Sequence, residues 1–528
     1  MKNTKQLSRK LLSVAISGLF VTATQFSASI AVAEPDNLHM LGRTHPGSAQ
    51  SSFTRMFPEL PPFAEATDAV REQAKRLGEI GGILDAKDNL TDPVLSVTKP
   101  DVFSPNNPDN PNMTAGVTFF GQFLDHDITL DPRSNLLKAG NPKTTTNFRT
   151  PAFDLDSVYG GGPENSPELY ETNSGDILFR TEVIPGSDLV SRKGAIRYDL
   201  PRDATGKAIV SEGRNDENSI ISQFHLAMLR FHNAVTARVR SEHANWSAEE
   251  VFETTQRMVR WHYQWIIVNE FLPITIGKER VVEFLKGQAK DKNPRIPIEF
   301  SVAAYRFGHS QVRPSYRLNF GPDGGPAFFA FVFDDNLDPS DPDPNDFRGG
   351  KRAPRRFVDW QTFFTLDATS VRQNKRIDTH ISSVLMHLLG SRAPAPGMPG
   401  DGVQSLASRN LMRHVNFGIP SGQSIAARLG LPALSTAQLS ELAPYNMDSS
   451  TPLWYYVLKE AEVMENGLRL GPVGGYIVGK VFTDLLKADE TSYIASKQKW
   501  KPELPSATPG DFRITDLLRF AGVVPPLQ

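Results

Sequence analysis

Apolar residues recur at three- and four-residue spacing along several stretches of this chain, while strict alternation is rare. That pattern predicts a mainly α fold with short, scattered strands. Ala66–Glu79 reads as a short amphipathic helix, and Met113–His126 as a second, apolar through Val117–Phe120 and ended by Asp131-Pro132-Arg133. The longest periodic runs are Ile220–Arg240 and Ser247–Phe271. Asn218 and Ser219 are placed to cap the first, and Ser247 with Glu250 forms a capping-box signature for the second. Further helices are expected over Glu299–Gly308, Arg376–Leu389 and Gln404–His414, the last stopped by Gly418-Ile419-Pro420, with two or three more across 436–490. Ile177–Leu200 reads as short strands or extended chain. Pro100–Pro111, Pro322–Arg356 and Ser391–Gly402 read as loops. Within the second of these, the acidic run Asp334–Asp346 and the basic run Arg348–Arg356 are expected to be solvated. No repeat or clean linker breaks the pattern. Residues 61–528 therefore read as one large single domain, preceded over 34–60 by a polar, extended arm.

The first 33 residues depart from this picture. Lys2, Lys5, Arg9 and Lys10 precede the apolar stretch Leu11–Ala23, and Ala31-Val32-Ala33 puts small residues at the A-x-A positions of a cleavage site. This is the layout of a secretory signal cut after Ala33, which predicts export to the periplasm or medium. Thr22, Thr24, Gln25 and Ser27 interrupt the apolar run before it reaches the ~20 residues of a spanning helix. No other stretch is long and apolar enough to span a membrane.

Composition is ordinary for a globular protein: 528 residues, 39% hydrophobic and 22% charged. The net charge is −2, and loss of the four basic residues of the leader leaves 53 basic against 59 acidic residues, so no nucleic-acid footprint stands out. Cysteine is absent. That excludes disulfides, thiolate catalysis, iron–sulfur clusters and a thiolate-bound haem, and leaves metal ligation to His, carboxylates and carbonyls.

The chemistry concentrates in a few short segments. GQFLDHD at Gly121–Asp127 packs Gln122, Asp125, His126 and Asp127 together. Gln122 and His126 are one turn apart on a helix and share a face, while Asp125 and Asp127 point elsewhere. TPAFDLDSVYG at Thr150–Gly160 alternates Asp154 and Asp156 with hydroxyl residues, which suits either a loop wrapped on a hard cation or an exposed acidic turn. Arg214 and Glu217 sit just ahead of a long helix. His309 follows Gly308, where backbone or a flat ligand could approach closely. His225 and His232, seven apart on one helix, read as packed or hydrogen-bonded. Zinc-hydrolase, P-loop, Rossmann and G-x-S-x-G signatures are all missing.

Taken in order, GQFLDHD, TPAFDLDSVYG, Arg214 with Glu217, YRFGHS at Tyr305–Ser310, and Asn410 with Arg413 resemble the animal-type haem peroxidases of the peroxidase–cyclooxygenase superfamily. The match runs from about Ser52 to beyond Asp489, and points to a cysteine-free, exported, bacterial-type member. The resemblance implies the helical haem peroxidase fold, haem b and Ca²⁺ as cofactors, and use of H₂O₂ to oxidise small organic donors or halides. It implies that His126 is the distal acid/base, Gln122 its polar neighbour, and Arg214 the cation that steadies charge on peroxide. Asp125 and Glu217 match carboxylates that can become ester-linked to the haem. His309 matches the proximal iron ligand, Asn410 its hydrogen-bond partner, Arg413 a propionate partner, and Arg306 a further residue near the haem. Asp127, Thr150, Ala152 through its carbonyl, Asp154 and Asp156 match the calcium ligands.

This chain also departs from the family pattern. Asn218 stands where some mammalian members carry a haem-bonding methionine, so no sulfonium link is expected. Asp156 stands where mammalian members often have serine. A competing reading is a fatty-acid dioxygenase or cyclooxygenase of the same superfamily. Those enzymes place a radical-bearing tyrosine three residues before the proximal histidine, whereas here that position is Arg306 and the tyrosine is Tyr305. A second competitor, a calcium-dependent adhesion or haem-binding protein without catalysis, has no use for Gln122, His126, Arg214, His309 and Asn410 together.

Overall fold

In a computed structural model, the structure describes residues 51–524 apart from 133, 135, 137, 174, 188–196, 290, 322–324, 335–340, 342, 351–352, 367–369, 389–402 and 497–498. The expected secretory signal and most of the expected arm lie outside the described residues. Residues 51–60 lie within them and join the body of the fold. Ser51–Ser52 pairs with Thr146–Asn147, Phe53 and Phe57 are buried in the core, and Glu299 accepts from the backbone N–H of Met56 and Phe57.

The α-helices of ten or more residues among the described ones are α1 (Asp68–Leu77), α2 (Gly116–Ile128), α3 (Ser219–Glu242), α4 (Ala248–Ile266), α5 (Leu406–Phe417), α6 (Leu453–Glu465) and α7 (Pro472–Ala488). Among the described residues the strands form two-stranded antiparallel pairs only. The predicted mainly α architecture therefore holds. No described helix is long and apolar enough to cross a membrane.

The expected caps form. Asn218 accepts from the N–H of Ile220 and Ile221 at the head of α3, and Ser247 with Glu250 closes a capping box on α4. α1 lies along α5, and α2 along α3. Phe120 and Phe123 of α2 sit edge-on to Tyr263 of α4 at 6.2 and 6.1 Å, and Phe123 lies 5.2 Å from Phe224 of α3. Burying each such ring contributes about 1.5–3 kcal/mol, so α2 is seated in the core by its apolar face. Its other face carries Gln122, Asp125 and His126, while Asp127 lies on the buried face and accepts from Tyr263 OH.

Three elements differ from the sequence pattern. The helix expected from Met113 begins at Gly116, because Asp109–Thr114 is drawn into a strand with Gln373–Lys375. That same pairing overturns the helix expected over Arg376–Leu389. The segment is tied instead by Ile377 N–H to Gly467 O, Ile381 N–H to Leu84 O and Ala86 N–H to Ile381 O, and only Ser383–Met386 turns, as a 3₁₀ element. Its backbone bonds are met across the fold, which overrides a weak local propensity. Glu299–Gly308 is not a regular α-helix either. It is a π turn, Glu299–Ala303, followed by 3₁₀ turns over Ala304–Gln311. Ala303 leaves helical geometry at φ −129°, ψ −85°, and irregular turns of this kind collect at functional sites.

Pro322–Arg356 is also not a solvated loop throughout. Phe328–Phe331 pairs with Ser315–Asn319. Asp346 is fully buried and accepts from Arg348 Nε at 2.8 Å, and Arg356 Nε donates to Asp343 at 2.8 Å. Pairing of the opposite charges lets them enter the interior. The strap they hold closes over residues 216–219. Ser219 N–H donates to Phe347 O at 2.7 Å, Gly349 N–H to Glu217 O at 3.1 Å, and Gly350 N–H to Asp216 Oδ2 at 3.1 Å. A Cβ on Gly349 would lie 1.5 Å from the carbonyl oxygen of Asp216. Gly349→Ala is accordingly expected to lower unfolding stability by about 1–3 kcal/mol, read as an earlier urea midpoint, whereas alanine at the open Gly308 position is not expected to clash.

Candidate active site

The second half of α2 places four polar side chains on separate partners. Gln122 Nε2 donates to Glu217 Oε1 in a short hydrogen bond. Asp125 Oδ1 accepts from Thr129 Oγ1 at 2.9 Å, just past the helix end. His126 is 5% exposed, and its Nδ1 lies 2.8 Å from Asn215 Oδ1. Asp127 is fully buried, and accepts from Ser157 Oγ at 2.8 Å and Tyr263 OH at 3.0 Å.

Arg214 lies on the 3₁₀ turn Gly213–Asp216 that leads into α3. Its Nη2 donates to Thr129 O at 2.5 Å and His126 O at 3.3 Å, so the cation caps the C-terminus of α2, where the helix dipole is negative. Nε and Nη2 also donate to Glu212 at 3.0 and 2.9 Å. Nη1 makes no hydrogen bond among the described residues. Glu212 is buried and shared with Arg149, whose Nη2 lies 2.8 Å away. Burial pushes the Glu212 carboxyl up, but Arg214 and Arg149 overcome it and hold the group well below the usual carboxylate range.

His309 lies in the irregular Ala304–Gln311 turn, and its Nδ1 is 2.8 Å from Asn410 Nδ2 on α5. Asn410 Oδ1 faces Arg306 Nη1 at 3.4 Å, and Arg306 Nε donates to Ser301 O. Trp454 of α6 fixes the turn by donating from Nε1 to Arg306 O at 3.1 Å. Tyr305 OH donates to Gly121 O at 3.1 Å, which ties the segment holding His309 directly to α2. Arg413 lies 3.8 Å from Asp131. Arg306 has no carboxylate within ion-pair distance among the described residues. Burial and the like charge of Arg413 push its guanidinium down to about 10. It also feels the charges of Asp125 and Arg214.

The two histidine-bearing segments have matched electrostatics. Burial and the Arg214 charge push His126 down to about 3, and burial and Arg306 do the same to His309. Both imidazoles are therefore neutral near pH 7, each with one protonated and one unprotonated ring nitrogen. Asp125 is raised by burial, against the pull of Arg214 and Arg306. Glu217 directly follows the Arg214 turn, and the protein around its carboxyl pushes it up to about 7 by desolvation.

Asp127, Asp154 and Asp156 converge, with one carboxylate oxygen from each within 4.8 Å of the others. Burial, and then the nearby Asp156, raise Asp127 to about 7, and the same two causes raise Asp154 well above its ordinary value. Thr150 joins them through Asp156, donating from N–H and Oγ1 at 3.0 and 3.1 Å. Ala152 N–H returns to Thr150 O inside the same loop. The turn is thus folded inward and is not an exposed acidic loop. His225 and His232 are packed and bonded as expected, to Asn215 Nδ2 and Tyr159 OH.

Sequence reasoning missed Glu212, Arg149 and Asn215. Arg149 directly precedes the Thr150 motif, and Glu212 and Asn215 flank Arg214. Adjacency to motif residues was the only signal available, because their partners lie on other segments.

The animal haem peroxidase family model matches residues 132–493, which include Arg214, His309 and Asn410 and begin just after the GQFLDHD heptad. Peroxinectin A of Dictyostelium discoideum is 29% identical over 295 residues, 54% of this chain and 49% of that protein. The chorion peroxidase of Drosophila melanogaster is 27% identical over 371 residues, 68% of this chain and 42% of its own. The chain thus spans about half or less of the length of these relatives. Among solved structures, Dictyostelium peroxidase A superposes with a TM-score of 0.53 at 20% identity, covering 84% of this chain and 92% of that one. A fatty acid alpha-dioxygenase of Oryza sativa gives 0.51 at 13% identity, covering 93% and 87%. These superpositions show the shared fold, and the family match covers more than half of the sequence: the chain belongs to the animal haem peroxidase family.

Proposed function

We propose that this protein is an exported haem peroxidase that uses H₂O₂ to oxidise small organic donors or halide ions. The observation that carries this reading is the pair of neutral histidines, His126 and His309. Each is backed at Nδ1 by an asparagine at 2.8 Å, on elements joined by the Tyr305–Gly121 hydrogen bond. The donor set suits haem b. His309 offers an imidazole for iron, and Arg306, half-buried with no ion-pair partner among the described residues, would stand with Arg413 to meet the two negative charges of the cofactor. Bound haem would supply the iron and porphyrin that together take up the two oxidising equivalents of peroxide.

The residues then divide the work. His126, neutral and buried, takes a proton from peroxide and returns it to the departing oxygen. Glu212 and the carbonyls of His126 and Thr129 hold Nε and Nη2 of Arg214, which leaves Nη1 for the negative charge that develops on peroxide. Gln122 and Glu217 restrain each other at the cleft edge. Asn410 tunes His309 as an electron-donating ligand by accepting from Nδ1–H. That role takes a half-turn of its amide from the orientation in which Oδ1 faces Arg306. Asp127, Asp154 and Asp156, with Thr150 and the Ala152 carbonyl, would hold Ca²⁺ and so fix the end of α2 beside His126.

The dioxygenase alternative requires a tyrosine radical facing the cleft. Tyr305 instead gives its hydroxyl to Gly121 O and stacks on Phe300 at 4.8 Å. This favours the peroxidase, and linoleate-dependent oxygen uptake without added peroxide would reverse the choice.

Three outcomes are expected. First, the purified protein should show a Soret band that shifts on adding peroxide, and should oxidise guaiacol or iodide. His126→Ala should slow its stopped-flow reaction with peroxide by about 10²–10⁴-fold with haem retained; an unchanged rate rules the assignment out. Second, if Asp125 and Glu217 form esters to the haem, part of the pigment will resist acid–butanone extraction after peroxide turnover, and Asp125→Ala with Glu217→Ala will release all of it. Third, Asp127 is raised above its unfolded value, so the metal-free fold binds extra protons and loses stability as pH rises from about 4 through about 7. The rise in Tm on replacing chelator with Ca²⁺ should therefore be larger at pH 8 than at pH 5, and Asp127→Asn should flatten that difference.

A further inference from the structure

Asn215 is fully buried and sits between two imidazoles. Its Oδ1 is 2.8 Å from His126 Nδ1, and its Nδ2 is 2.9 Å from His225 Nδ1. The two ends of a carboxamide are not equivalent, since the oxygen only accepts and the nitrogen only donates. In this orientation His126 carries its proton on Nδ1 and keeps the lone pair on Nε2. His225, accepting at Nδ1, carries its own proton on Nε2. His225 is itself 1% exposed and packed against Phe123 at 6.3 Å, so the far end of the chain is fixed in the core.

We propose that Asn215, anchored by His225, is a positioning residue that sets the His126 tautomer and so leaves Nε2 free to take the proton of peroxide. The proposal rests on the peroxidase reading and adds a constraint to it. A neutral histidine in the other tautomer presents an N–H and cannot act as the base, however well it is placed. Asn215 also belongs to the turn that carries Arg214, and Glu217 directly follows it. One short segment would then deliver the cation, the carboxylate and the control of the base. A packing role alone would leave the tautomer of His126 indifferent to which hydrogen-bonding group fills position 215.

The test has two parts. In the diamagnetic ferrous–carbon monoxide holoprotein labelled with ¹⁵N-histidine, the His126 signals, identified by their loss in His126→Ala, should show the proton on Nδ1 and a bare Nε2. The opposite tautomer overturns the proposal and needs no variant at position 215 to do so. In the ferric holoprotein, Asn215→Leu should slow both peroxide reaction and cyanide association by about ten- to a hundredfold with an unshifted Soret band. Asn215→Asp, which keeps an acceptor toward Nδ1, should stay within about threefold of wild type when each is measured at its own optimum. Adding Asn215→Leu to His126→Ala should cost nothing further, because the two residues act as one unit. A Leu variant within twofold of wild type, or an Asp variant as slow as Leu, overturns the proposal. If wild type itself fails to react with peroxide, the peroxidase reading falls, and the ¹⁵N spectrum still reports the tautomer.

Discussion

The buried carboxylate of Glu212 is the interaction on which the rest of the site depends. It accepts from Arg149 on one side and Arg214 on the other. Arg149 reaches Asp156 at 3.4 Å, and Arg214 caps the end of α2. Charge therefore alternates from the acidic cluster to the cleft: Asp156, Arg149, Glu212, Arg214. An isolated buried charge costs several kcal/mol, and each of these is tolerable only because of its neighbours. Removing Glu212 would leave two buried cations facing each other, and Arg214 would lose the partner that aims it.

The same economy of segments explains why α2 is so productive. One face is fixed by aromatic packing against α3 and α4 and takes Asp127 with it, through Tyr263, while Gln122, Asp125 and His126 go to three other partners. The turn that carries His309 is held against this helix through Tyr305 and against α6 through Trp454. The spacing of the two histidine-bearing elements is thus held by contacts of the core.

Much of this was legible in the chain. Long periodic helices and their caps followed from local chemistry, as at Asn218 and Ser247. The motif residues could be named because their order along the chain matches a known family. What could not be read depended on partners distant in sequence. Arg376–Leu389 looked helical until its backbone bonds were claimed by Leu84 and Gly467. Arg348 and Arg356 looked solvated because Asp346 and Asp343, which bring them inside, sit in a run that itself looked exposed. Asn215 is an ordinary turn residue by sequence, and only the fold puts a histidine at each end of its amide.

The strap over the Arg214 turn has a consequence for how the protein is made. Gly350 bonds Asp216 across 134 positions of chain, and Gly349 fits there only for want of a side chain. A chain emerging from its N-terminus completes α2 and the turn long before the strap exists. Contacts of such long sequence separation form late, after the loop between them has closed. The cleft therefore gains its final shape only after most of the polypeptide has been synthesised, and nascent or truncated chains ending before the strap would expose a half-built site.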